Sequence, residues 1–129
     1  SVGEYGSIAE VAASLAAGRR CTVSVTGAFD VVTDGARTLS VRNGDPMLGT
    51  ITGTGCMSTT MVGAFCASGD EDVLAASAAG LAAFGVAGED AAARAKGPGT
   101  FHVELYDAIA ALTPDLLLER VDVVEVGSG

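Results

Sequence analysis

The chain has no tryptophan, only one histidine and three cysteines in 129 residues, and each shortage closes off a class of protein. Cys21, Cys56 and Cys66 make an odd set without C-x-x-C spacing, which argues against both a disulfide framework and a zinc site. The lone His102 has no second histidine or cysteine at ligand spacing, so it reads as a structural side chain beside Phe101. Basic residues are scarce: 7 Lys and Arg against 16 Asp and Glu leave a net charge of −9. That excludes a basic stripe for nucleic acid and makes long-range steering of an anion unfavourable. An anionic ligand would have to be held locally, by backbone N–H groups, a helix terminus or a divalent metal. The most apolar run, Val73 to Gly88, is interrupted by Ser77, Gly80 and Gly85 and falls short of the roughly 20 residues that span a bilayer. It reads as a buried helix. The start at Ser1-Val2-Gly3 has neither a basic n-region nor an apolar core, so it reads as an interior start rather than a targeting segment.

What the chain does have is small residues. Eighteen glycines and 49% hydrophobic residues fit one tightly packed domain, with no repeat or linker dividing it. Apolar spacing predicts a helix from Ile8 to Ala17 stopped by Gly18, then a buried strand at Val23 to Val25. Phe29 to Thr33 and Arg37 to Val41 read as a hairpin turning at Asp34-Gly35. Helices are predicted at about Gly55 to Ala67, at Glu71 to Ala95, and from Gly99 or Thr100 to Ala111 after the Lys96-Gly97-Pro98-Gly99 break. Thr113-Pro114 reads as a cap and first position of a helix of a turn or two, before a closing strand at Val121 to Val126 and a frayed Gly127-Ser128-Gly129. Asp30, Asp34 and Asp45 sit where Asp makes local turn hydrogen bonds, and Glu89-Asp90 reads as a solvated helix face.

Chemistry concentrates in Thr52-Gly53-Thr54-Gly55-Cys56, where a loop gives way to a helix. The first N–H groups of a helix have no intrahelical partner, and with the positive end of the helix dipole they favour a phosphate or a developing oxyanion. The same field favours the thiolate of a first-turn cysteine, so Cys56 is a candidate proton acceptor. The plain alternative is a tight turn followed by a small apolar residue.

Read together with Val23-Ser24-Val25-Thr26-Gly27, Asp34-Gly35, Asn43-Gly44-Asp45-Pro46, Ala87-Gly88-Glu89 and Ala95-Lys96-Gly97-Pro98-Gly99-Thr100-Phe101, this run resembles the C-terminal half of the hydroxyethylthiazole kinase family. The likeness spans about Val23 to Leu112. It implies an α/β protein, the C-terminal half of a ribokinase-like three-layer α/β/α fold, with ligands at the carboxyl ends of strands. It also implies ATP-dependent phosphorylation of the hydroxyethyl group of 4-methyl-5-(2-hydroxyethyl)thiazole in thiamine biosynthesis or salvage, with ATP and Mg²⁺ as cofactors. On the matching positions Thr26 is the ATP-contacting threonine and Gly53 the substrate-contacting position. Gly53, Thr54, Gly55 and Cys56 form the anion hole, and Cys56 is the catalytic residue. Most of the wider superfamily carries Asp where this chain has Cys56. The metal ligands stay unassigned, since no carboxylate cluster marks them. Family members are about twice as long, so the isolated segment is expected to be inactive. The resemblance further implies a cytoplasmic homotrimer, without nucleic-acid or membrane partners. Two alternatives stay open: a hydroxymethylpyrimidine kinase or other ribokinase-like small-molecule kinase, and a non-catalytic assembly module.

Overall fold

The β-rich stretch between Val23 and Val41 forms three antiparallel strands, β1 (Val23–Val25), β2 (Asp30–Thr33) and β3 (Thr38–Val41), in a computed structural model that describes residues 2–68 and 72–127. A fourth strand, β4 (Val123–Val126), pairs antiparallel with β3, so the sheet runs β1-β2-β3-β4. The register sets Val32 opposite Leu39 and Val123 opposite Val41, and a period of two puts these four on one face. That face packs on Leu74, Ala78, Leu81 and Ala82 of the helix α3 (Val73–Arg94). The opposite face carries Val31 and Thr33, both buried, and lies under α1 (Val2–Arg19), whose Ala12 and Ala16 are buried in turn. The result is the expected α/β architecture with helices on both faces of a sheet.

The far side of α3 builds a second cluster. Phe84, Ala87 and Ala91 meet Phe101, Leu105 and Ala108 of α4 (Pro98–Ala110), with Met57 and Met61 of α2 (Thr54–Ala67) packed against them. Phe101 and Leu105 are wholly buried, which stabilises the fold by about 1.5–3 kcal/mol for each side chain. Gly80 lets α2 lie close, because a Cβ there would come within 2.9 Å of the Val62 Cα. Lying between sheet and helices explains why α3 is so apolar. It is long and apolar enough to cross a membrane by composition, yet 67% of its apolar window is buried inside the fold.

Element ends follow local chemistry. Asp72 caps α3 by accepting from the Ala75 amide at 3.0 Å, and Thr113 caps α5 (Pro114–Arg120) by accepting from Leu116 at 3.2 Å, with Pro114 in its first turn. Pro98 likewise opens α4 instead of merely ending the helix before it. The predicted start at Glu71 and the end at Ser128-Gly129 lie outside the described residues.

Four expectations need correction. Helix α1 begins six residues before Ile8, passes through Gly18 and ends at Arg19, and Arg20 just after it adopts φ 53°. The Cys21 amide bonds Ala16 O and the Arg20 amide bonds Ala17 O, so an αL cap with two reverse bonds stops the helix without glycine in the αL position. Strand β1 is an edge strand with Ser24 exposed, not a buried one. The hairpin turn centres on Gly35-Ala36, one position later than predicted: Asp34 N bonds Arg37 O, and only Gly35 of the pair has positive φ, 92°. Glu89 and Asp90 are not a solvated face, since both bind Arg120.

Candidate functional site

Because neighbouring strands alternate in direction, the carboxyl ends of β1 and β3 lie at the same edge of the sheet as the start of β2. A cavity of about 500 Å³ opens there. Thr26, Gly27 and Asp30 line one side, and the loop from Arg42 to Pro46 faces them. The start of α2 contributes Thr54, Gly55 and Ser58, while Leu81, Phe84 and Gly85 of α3 form an apolar floor. An apolar floor under a polar rim suits a ligand with a flat, weakly polar part and a charged part.

The helix start is built to leave its amides available. Gly53 is the N-cap of α2 with φ 98°, a conformation that favours glycine, and it offers no side chain to cap the first turn. Hydroxyls nearby donate to carbonyls instead. Thr54 donates to Leu48 O, Ser58 and Thr59 to Gly55 O, and Thr60 to Cys56 O, each at 2.9 Å. Thr54 also ties the preceding 3-10 turn, Pro46–Gly49, to the helix. A Cβ at Gly55 would meet nothing within 4 Å, so that position faces open space, whereas a Cβ at Gly53 would meet only the Met57 Cε.

Thr26, Thr54 and Gly55 therefore come together at the cavity. Gly53 and Cys56 belong to the same helix start but do not line it; Cys56 is exposed and carries a free thiol. Asp30, read from the sequence as a turn residue, does accept from Gly27 N at 3.1 Å but also faces the cavity. Burial raises its carboxyl above the usual value, against the lowering effect of the Gly27 bond. Asp34 and Asp45 make the local bonds expected of turn aspartates. Two amide bonds, from Arg37 and Ala36, hold Asp34 below the ordinary carboxylate value. His102 stacks against Tyr106, with its ring nitrogen 2.9 Å from the hydroxyl. The Lys96 to Gly99 segment lies outside the cavity lining.

No group of three or more His, Cys, Asp or Glu side chains that could hold a metal occurs among the described residues. Asp30 and Asp45 line the cavity but do not make a metal cage by themselves.

Sequence reasoning missed what shapes the rim. Asn43 donates to Glu89 and to Arg120 O and accepts from the Asp122 amide. Gly85, Gly88 and Glu89 share one face of α3, and two small residues next to an acid at that spacing are the available signal of a close approach.

The model of the hydroxyethylthiazole kinase family matches residues 2–115. A hydroxyethylthiazole kinase of Methanosphaerula palustris is 50% identical over 117 residues, covering 91% of this chain and 44% of that protein. One from a Roseiflexus species is 54% identical over 106 residues, covering 82% and 39%. A solved hydroxyethylthiazole kinase structure from Pyrococcus horikoshii superposes with a TM-score of 0.88 at 40% identity, over 97% of this chain and 48% of that one. The chain thus spans less than half the length of these relatives, and it belongs to the hydroxyethylthiazole kinase family.

Proposed function

We propose that this chain is the C-terminal part of a single ribokinase-like kinase domain, which transfers the γ-phosphoryl group of ATP to the alcohol of 4-methyl-5-(2-hydroxyethyl)thiazole in thiamine biosynthesis or salvage. The observation that carries the reading is the convergence of Thr26 with Thr54 and Gly55 on one cavity at an uncapped helix start. The floor of Leu81 and Phe84 would take the flat base, with Thr26 donating a hydrogen bond to the nucleotide. The amides of Thr54, Gly55 and Cys56 would face the transferring phosphoryl group, where negative charge spreads over its oxygens.

In-line transfer needs the attacking oxygen and the leaving oxygen on opposite sides of phosphorus. With the nucleotide in the cavity, the acceptor alcohol comes from the outer side of the α2 start, where Cys56 is exposed and Gly53 sits. The alcohol oxygen bonds to the γ-phosphorus, the bond to the bridging oxygen breaks, and ADP leaves. The alcohol proton passes to the Cys56 thiolate, giving the thiol, and no covalent intermediate forms. Mg²⁺ bound to the nucleotide phosphates would supply further charge neutralisation. A cytoplasmic homotrimer completes the reading.

Kinase assays on the full-length protein test it, with the thiazole alcohol and a hydroxymethylpyrimidine offered separately. Thiazole turnover is expected, with ATP binding weakened about 2- to 10-fold in Thr26→Val, the worth of one hydrogen bond. Turnover of the pyrimidine alone, or unchanged ATP affinity in Thr26→Val, would overturn the substrate or the site respectively.

A further inference from the structure

The rim of the cavity is held by side chains that do not line it, and we propose that Glu89 and Arg120 are positioning residues that fix the Asn43–Asp45 loop for nucleotide binding. The inference rests on the nucleotide reading of the cavity. Glu89 reaches from α3 and accepts from the Gly44 amide at 2.9 Å and from Asn43 Nδ2 at 3.2 Å through one oxygen. Its other oxygen accepts from Arg120 Nη2 at 2.9 Å, while Arg120 Nη1 donates to Asp90 at 2.6 Å. Asn43 donates to the Arg120 carbonyl at 2.9 Å and accepts from the Asp122 amide at 2.7 Å. Three separate segments, α3, the loop and the junction of α5 with β4, therefore meet at one asparagine.

Backbone geometry reinforces the tie. Gly44 has φ 138°, which a side chain would resist, and a Cβ on Gly85 would fall 2.6 Å from the Asn43 carbonyl. The loop lies directly on the helix backbone, and Glu89 pins it there. The network adds no attraction for an anion, since one arginine faces two carboxylates. Its effect on a nucleotide has to come through where it places the rim.

The test uses Glu89→Ala, Glu89→Gln, Asn43→Ala and Arg120→Lys in the full-length kinase. Hydrogen exchange of the segment covering residues 42–48 is measured without ligand, beside KM for ATP and kcat. Glu89→Ala is expected to speed exchange in that segment and raise KM for ATP about tenfold, the worth of one or two hydrogen bonds, with kcat within about twofold. Glu89→Gln keeps an acceptor for the Gly44 amide but turns a donor toward Arg120, so it is expected to recover only the part of the affinity that the loop contact carries, with exchange of the segment slowed to match. If Glu89→Ala fails to fold, Asn43→Ala cuts the tie from the loop side, and Arg120→Lys weakens it from α5. Unchanged exchange, unchanged KM, or an equal fall in kcat and kcat/KM would overturn the proposal. A parent enzyme that does not bind ATP overturns the nucleotide reading instead, and exchange alone then decides whether Glu89 holds the rim.

Discussion

In the proposed transfer a carboxylate could take the place of Cys56 as proton acceptor, so the two side chains can be exchanged as a test of role. A carboxylate in the first turn of α2 is ionised at neutral pH and favoured by the helix dipole, whereas a thiol is only partly ionised. Cys56→Asp in the full-length kinase is expected to keep substantial activity. Cys56→Ala leaves the amides in place and should lose roughly 10²- to 10⁴-fold in kcat with little change in substrate affinity. An alanine variant as fast as the parent reduces Cys56 to packing. Asp30 offers a second test through pH. Its folded value is raised by burial, so its contribution to stability is full below its ordinary value and is lost as pH rises through the raised one. Asp30→Asn keeps an acceptor for Gly27 N and cannot ionise. Its stability relative to the parent should therefore climb between about pH 4 and neutrality, read from urea midpoints. A difference that stays flat across that range rejects the assignment.

Among elements, the contact of α2 with α3 depends on glycine at one place and tolerates it at another. Gly80→Ala gains helix propensity of about 1 kcal/mol but pushes a Cβ against the Val62 and Met61 backbone, at a cost of about 1–3 kcal/mol. Gly63, exposed on α2, has nothing within 4 Å of a Cβ, so Gly63→Ala should raise the melting temperature while Gly80→Ala lowers it. Equal shifts for the two would show that the helices do not approach as described. The helices themselves were readable. Turn breakers at Lys96-Gly97-Pro98 and the apolar run after Val73 marked α3 and α4 to within a few residues. The extra length of α1 was hidden by Gly3 and Gly6, which lower local propensity without preventing a helix.

At the scale of the molecule, local signals decided less. The placement of the glycines and Cys56 at the α2 start was legible because a helix start is written in adjacent residues. The Glu89–Arg120 pair was not, because partners 31 positions apart leave no periodic trace. The same limit hid the pairing of β4 with β3 and the edge position of β1, which depend on which strands meet rather than on what each contains, whereas the β2–β3 hairpin was legible from its turn.

The pairing of β3 with β4 joins Val41 to Val123, residues 82 positions apart, and encloses every helix after α1 within one closed circuit. Closing a circuit of that size costs about 4 kcal/mol of chain entropy, which the packing of the enclosed helices and of β4 offsets. Strand β4 then acts as a clasp. Next to it, the Arg42 amide bonds Asp122 O, and the Asp122 amide bonds Asn43. Opening the clasp would free the Asn43 loop at the cavity rim and withdraw Val123 from the core together, so one strand fastens both.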